Sequence, residues 1–261
     1  MVVTAAPAGR WSDFWTRLAS TAILGPLALL ALWFGGLAWA MLIGVTMAGM
    51  GWEWARLGRQ PAASYLPALP AVAWLITLLF GVPAGALALL VLAIAVWVKS
   101  GRFAAAGLPY IGIGGLTLLW LRDAPAQGLN ATLFLVTVVW ATDIGAYLVG
   151  RVVGGSRMAP RISPGKTWSG AIGGLVFGAV AGWLAAGGNW AALPVALLLS
   201  LAAQSGDLLE SAIKRKLGVK DSGSTIPGHG GLFDRLDGFL VAAPVAALLI
   251  ILTQGGLPLW H

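Results

Sequence analysis

Long apolar runs without charge alternate along this chain with short connectors that hold nearly all of its charged residues. Residues 18–52 contain no Asp, Glu, Lys or Arg. That is too long for one membrane span of about 20 residues, and Gly35-Gly36 near the middle predicts a break between two helices. Residues 61–98 repeat the arrangement around Gly81-Val82-Pro83, which predicts a third and a fourth. A fifth helix is expected over 103–121, a sixth over 129–149 after a polar connector, and a seventh over 167–186 after a basic loop. Beyond the turn Gly187-Gly188-Asn189, an eighth starts near 191 and runs past its apolar part to Lys216, and a ninth covers 238–253. The predicted fold class is all-α, a polytopic integral membrane protein with about nine transmembrane helices. Residues 1–17 read as a cytoplasmic tail before a first anchor, because the apolar sequence after them outruns a signal peptide's core. Residues 18–261 read as a single transmembrane domain.

Composition supports the bilayer as solvent: 59% of residues are hydrophobic and 10% charged, where a soluble domain carries about a quarter charged. With no cysteine, disulfides, thiolate nucleophiles and thiolate metal sites are excluded. The net charge of +7 could suit nucleic acid, but the basic residues stand beside apolar runs. Those are the positions of topology signals and of contacts to lipid or nucleotide phosphates, so no nucleic-acid partner is expected. Placing the N-terminus in the cytoplasm puts fifteen of the sixteen Lys and Arg on the cytoplasmic side and leaves only Arg122 outside. This asymmetry predicts an N-in, C-out topology, in keeping with a bacterial inner membrane and a cytoplasmic active site. In the seventh run Gly170, Gly174, Gly178 and Gly182 line one helix face, which permits close approach of a neighbour. Trp33, Trp52, Trp97, Trp120 and Trp168 fall near span ends, where interfacial anchoring accounts for them.

The chemistry concentrates in residues 207–237, which hold five of the nine acidic residues. Asp207, Glu210, Ser211 and Lys214 are spaced i, i+3, i+4 and i+7, one polar stripe on a helix. A solvated helix end would explain Glu210 and Lys214. Asp207 lies closer to the membrane boundary, where a carboxylate needs a partner or a metal ion. Lys220-Asp221-Ser222-Gly223 and Pro227-Gly228-His229-Gly230-Gly231 suit a tight loop whose amides could face phosphate. A single His229 between glycines suits phosphate binding or shaping of the turn as well as proton transfer. Asp234 and Asp237 then open the ninth helix on a shared face, and the helix dipole alone would favour them. Hard oxygen ligands beside Lys214, Arg215, Lys220 and Arg235 are nonetheless what a magnesium–triphosphate site requires. Asp143 lies inside the sixth span, where an ionisable group suggests either proton transport or orientation of a metal or lysine. Gly165-Lys166-Thr167 is not a Walker loop, because Pro160 stands where the motif needs glycine. His261 receives no role.

Taken together, Ser211-Ala212-Ile213-Lys214-Arg215, Lys220-Asp221, Pro227-Gly228-His229-Gly230-Gly231 and Asp234-Arg235-Leu236-Asp237 resemble the signature of the phosphatidate cytidylyltransferases, the CDP-diacylglycerol synthases. Asp143 with Ala146-Tyr147, Gly150-Arg151, Ser163-Pro164 and Lys166-Thr167 resemble earlier elements of that family. Residues 1–100 share only hydrophobicity with it, and no roles are assigned there. The resemblance implies CTP and phosphatidate as substrates, CDP-diacylglycerol and pyrophosphate as products, and Mg2+ as cofactor. It leaves room for a second divalent ion, a monovalent cation and a homodimer among membrane lipids. It implies metal ligation by Asp207 and Asp234, with Asp221, Asp237 and Lys214 as further catalytic candidates. Lys166, Arg215, Lys220, His229, Arg235, Ser211 and Asp143 are the substrate-binding candidates, with the bases not yet divided between CTP and lipid. Two rivals remain at this point: a CTP-dependent kinase of a membrane alcohol and an ion-coupled transporter. The topology has a direct test. A C-terminal alkaline phosphatase fusion should be active and a fluorescent-protein fusion at the same end dark, and the reverse pattern would exclude the nine-span arrangement.

Overall fold

The computed structural model describes residues 10–59, 65–124, 127–228 and 230–253. Nine α-helices follow among them: α1 (Arg10–Phe34), α2 (Gly36–Leu57), α3 (Leu69–Phe80), α4 (Val82–Ser100), α5 (Arg102–Arg122), α6 (Gly128–Val152), α7 (Trp168–Ala185), α8 (Ala192–Lys216) and α9 (Phe233–Leu252). Six of them, α4 to α9, are long and apolar enough to cross a membrane. With 12 residues, α3 is too short to span a hydrocarbon core of about 30 Å at about 1.5 Å per residue. The described residues thus form a predominantly helical membrane architecture with six qualifying spans. The expected N-terminal tail is helical from Arg10 onward, and its first nine residues lie outside the described part.

Breaks fall where glycine allows them. Gly35 and Gly81 take φ of 64° and 86°, a region that side chains disfavour, and each lets one helix turn directly into the next. Arg122 then closes the end of α1, donating from Nε to Leu32 O at 2.7 Å and from Nη2 to Trp33 O at 3.0 Å. A cation at a helix C-terminus also suits the helix dipole. The residue that stood apart in the charge pattern therefore has a local structural task.

Small residues set the α6–α7–α8 packing. A Cβ at Gly178 would lie 2.6 Å from Thr142 Oγ1, and one at Gly182 would lie 2.6 Å from Ala196 Cβ. The close approach buries a Thr142–Ser200 hydroxyl pair at 2.7 Å, which links α6 to α8 without charge.

Two features depart from the sequence expectation. The basic loop before α7 is a hairpin of β1 (Arg157–Ala159) and β2 (Ser163–Thr167), antiparallel and irregular in register. It docks on α8 through the Lys166–Asp207 ion pair and through Arg215 Nε, which donates to Ile162 O at 3.1 Å. Thr167 ends it as the N-cap of α7, accepting from Gly170 N at 3.0 Å. The second departure is α9, which starts at Phe233, one turn before the apolar run, so Asp234 and Asp237 lie within its first turns.

Candidate active site

α6, the hairpin, α7, α8 and α9 enclose a cavity of about 580 Å3. Asp143, Ala146, Tyr147 and Gly150 form its α6 wall. Asp207 faces it from α8, and Asp234, Arg235 and Asp237 face it from α9. Helix periodicity explains the α8 side: Asp207, Glu210 and Lys214 follow one another along one stripe. α8 and α9 then bring carboxylates distant in sequence to one place.

Those carboxylates fall into two groups. One oxygen from each of Asp207, Glu210 and Asp237 lies within 4.8 Å of the others. Glu210 is 1% exposed, and its Oε1 has no hydrogen-bond partner, while Oε2 pairs with Lys214 Nζ at 2.6 Å. A buried carboxylate oxygen left unpartnered is costly. Three hard oxygen donors, one of them from the carboxylate that holds this orphan, fit a divalent cation of the Mg2+ type. Asp234 behaves differently. Its Oδ1 accepts from Lys214 Nζ at 2.6 Å, and its Oδ2 accepts from the backbone N–H of Ser222 at 3.1 Å and of Gly231 at 3.0 Å. The resemblance pairs Asp207 with Asp234 as ligands. The geometry gathers Asp207 with Glu210 and Asp237, and turns Asp234 toward Lys214 and the loop.

The remaining candidates divide clearly. Lys166 lines the cavity and pairs with Asp207, while Ser211 Oγ donates to Asp207 Oδ1 at 3.4 Å. Arg215 is exposed and holds the hairpin and Val219 O. Lys220 and Asp221 are exposed beyond α8 and are not among the residues lining the cavity. His229 lies outside the described residues.

Sequence reasoning missed Glu53. This α2 residue is 1% exposed. It accepts from Leu232 N and Phe233 N at 2.8 Å each, from Ser222 Oγ at 3.0 Å, and from Thr225 Oγ1. The glycines of the loop make room for it: a Cβ at Gly231 would lie 2.7 Å from Glu53 Oε2, and one at Gly223 would lie 2.8 Å from Oε1. The amides of Ser222, Gly231, Leu232 and Phe233 therefore face protein carboxylates, not a phosphate. A usable signal existed in the sequence. Glu53 is an acid at a span boundary in an acid-poor chain, the same reasoning that singled out Asp207.

Fold and site together define a polytopic helical membrane protein with a charged cavity of about 580 Å3. Residues 15–253 match the sequence profile of the cytidylyltransferase family, and the chain belongs to that family. It is 43% identical over 256 residues to a phosphatidate cytidylyltransferase of Brucella suis, covering 91% of this chain and 93% of that one. It is also 40% identical over 155 residues to a Staphylococcus saprophyticus protein of the same name, covering 57% and 58% of the two chains.

The Glu53 contacts generate a prediction. Glu53→Gln replaces one accepting oxygen with an NH2 group facing backbone donors, and each buried N–H left unpaired costs about 1–3 kcal/mol. Hydrogen exchange of the peptide covering residues 222–233 should become faster in this variant than in the wild type. Unchanged exchange there would show that Glu53 does not hold the loop.

Proposed function

We propose that this chain transfers a cytidylyl group from CTP to phosphatidate, forming CDP-diacylglycerol and pyrophosphate for phospholipid synthesis. The observation that carries the reading is the cavity, where Asp207, Asp234 and Asp237 stand beside Lys166 and Arg235, with Lys214 paired to Asp234, in a chain 43% identical to a phosphatidate cytidylyltransferase. A kinase or transporter finds no comparable support among the relatives.

The chemistry asks little of acid–base catalysis. The second ionisation of a phosphate monoester lies near pH 6, so the lipid's nucleophilic oxygen is largely ionised at neutral pH. It forms a bond to the α-phosphorus of CTP as the bond from that phosphorus to the β-bridging oxygen breaks, and pyrophosphate leaves. The protein's work is to position two anions and to offset their charge. Lys166, held at Asp207, and Lys214, held between Glu210 and Asp234, are cations kept at the site before any phosphate arrives. Asp207, Glu210 and Asp237 would hold Mg2+, which would supply further charge neutralisation at the triphosphate. In this reading the protein lies in a bacterial inner membrane, with the cavity opening to the cytoplasm, where CTP is available. Residues 18–261 act as one catalytic domain.

Two experiments test the reading. With purified protein and phosphatidate in detergent micelles, label from the α position of CTP should enter lipid and label from the γ position should leave as pyrophosphate. Entry of γ label into lipid would establish a kinase instead.

The second experiment separates the carboxylates. Asp207→Asn and Asp237→Asn should each lose on the order of a hundredfold or more in rate. The double variant should cost scarcely more, because ligands acting as a unit are not additive. Asp234→Asn should also slow turnover, through Lys214, but keep the half-saturating Mg2+ concentration of the wild type. A raised Mg2+ requirement in Asp234→Asn, with none in Asp237→Asn, would return the ligand set to Asp207 and Asp234.

A further inference from the structure

The positive charges at the cavity are not equivalent. Lys166 is paired with Asp207, and Lys214 with Glu210 and Asp234. Arg151 and Arg157 also line the cavity, yet among the described residues neither meets a carboxylate. Arg151 Nη1 donates to Tyr147 Oη at 3.0 Å, and its guanidinium carbon lies 5.9 Å from that ring's centroid. Arg157 Nη1 donates to Gly165 O at 3.2 Å across the hairpin. Each contact tethers the side chain lightly while engaging one of its five N–H donors, leaving most of the fork for an anion.

The place of these two residues narrows the anion. On α6, Asp143, Ala146, Tyr147 and Gly150 face the cavity. The adjoining stripe of Ile144, Leu148 and Val152 is exposed, with Val152 at 84% and the following Val153 at 68%. On a helix that crosses a membrane, such a stripe faces acyl chains. Tyr147 and Arg151 stand where the two stripes meet. A ligand held by Arg151 can therefore keep its phosphate in the cavity and its apolar part along α6. CTP has no apolar tail, and as a metal complex it is drawn toward the carboxylates of α8 and α9.

We infer that Arg151 and Arg157 form the recognition site for the phosphate monoester of the lipid substrate, on the side of the cavity bordered by the apolar stripe of α6. The inference rests on the reaction proposed above and assigns the lipid within it. Two guanidinium forks match a phosphate dianion bidentately, which lysine cannot do, and the apolar flank selects a phosphate that carries acyl chains. Choline-capped phosphate, a diester of lower charge hidden behind a trimethylammonium group, is the poorer ligand.

The test separates binding from turnover. Wild type, Arg151→Gln and Arg157→Gln are purified in detergent micelles containing either dioleoyl phosphatidate or dioleoyl phosphatidylcholine. Retained lipid is measured by native mass spectrometry without CTP. Arg161→Gln serves as the control, because Arg161 is an exposed hairpin cation and not among the cavity-lining residues. The two site variants should lose phosphatidate retention, and their KM for phosphatidate should rise about tenfold, as for a lost charge-assisted pair. Their KM for CTP should stay near wild type, and Arg161→Gln should behave as wild type. Arg151→Lys, which keeps the charge without the fork, should fall between wild type and Arg151→Gln. Normal phosphatidate retention by both Gln variants, or a rise confined to the KM for CTP, would overturn the assignment. An equal loss in Arg161→Gln would also overturn it, reducing the effect to general surface charge. If wild type retains phosphatidate selectively but transfers no label from CTP, the lipid site stands and the proposed reaction falls.

Discussion

One buried carboxylate orders the catalytic end of this protein. Glu53 gathers two backbone amides and two hydroxyls from a loop about 170 residues further along the chain. Backbone N–H groups at the start of a helix have no partners within it, and an anion is the acceptor they favour. By accepting from Leu232 and Phe233, Glu53 fixes where α9 begins. That start sets the turn on which Asp234 and Asp237 lie, and Asp234 in turn fixes Lys214. Ser20 Oγ on α1 adds a second tie, donating to Pro227 O at 3.2 Å. The N-terminal helices are thus more than hydrophobic ballast, since they locate the loop from which α9 and its two carboxylates start.

Charge placement around the cavity follows from the cost of burying ions. An isolated ion in a low-dielectric interior is expensive, and pairing offsets that cost only where the geometry is close. Lys214 meets this condition twice, at 2.6 Å from Glu210 and 2.6 Å from Asp234. The Asp207, Glu210 and Asp237 group does not meet it on its own, because one Glu210 oxygen has no partner. Three neighbouring acids repel one another, and that repulsion is a stored preference for a cation. Lys166 offsets part of it from the hairpin side.

Legibility in the sequence tracked the range of the interaction. Helix breaks at Gly35 and Gly81 were readable because the cause is the glycine's own backbone. The stripe of Asp207, Glu210 and Lys214 was readable because helix periodicity is local. The glycine face of α7 was readable too, since four-residue spacing puts small residues together on any helix. What escaped depended on partners far along the chain. The glycine-rich loop looked like a phosphate cradle, but the anions it encloses are Glu53 and Asp234. Nothing near residue 230 reveals a carboxylate at residue 53. The hairpin escaped for another reason. With five residues or fewer in each strand and a Pro-Gly pair inside the second, it lacks the alternation by which strands are recognised.

The site that results has walls of different character, and the difference suits a reaction between unlike substrates. The α8–α9 wall is held by ion pairs and by the loop that Glu53 orders, so its carboxylates and Lys214 have little freedom. Preorganisation there matters most, because charge at the α-phosphorus and the leaving group must be offset without rearrangement during the reaction. The opposite wall joins α6 to a short hairpin, whose docking to α8 rests on Lys166 and Arg215. Its guanidinium groups are exposed and only lightly tethered. A lipid must arrive from the bilayer, and its product must return there still carrying a headgroup, so an exposed polar edge beside the apolar stripe of α6 suits both. The glycine contacts of α7 are close on the other side: Gly178 and Gly182 leave no slack where it meets α6 and α8. Dense ion pairing thus marks the α8–α9 wall, and single hydrogen bonds to exposed guanidinium groups mark the wall opposite.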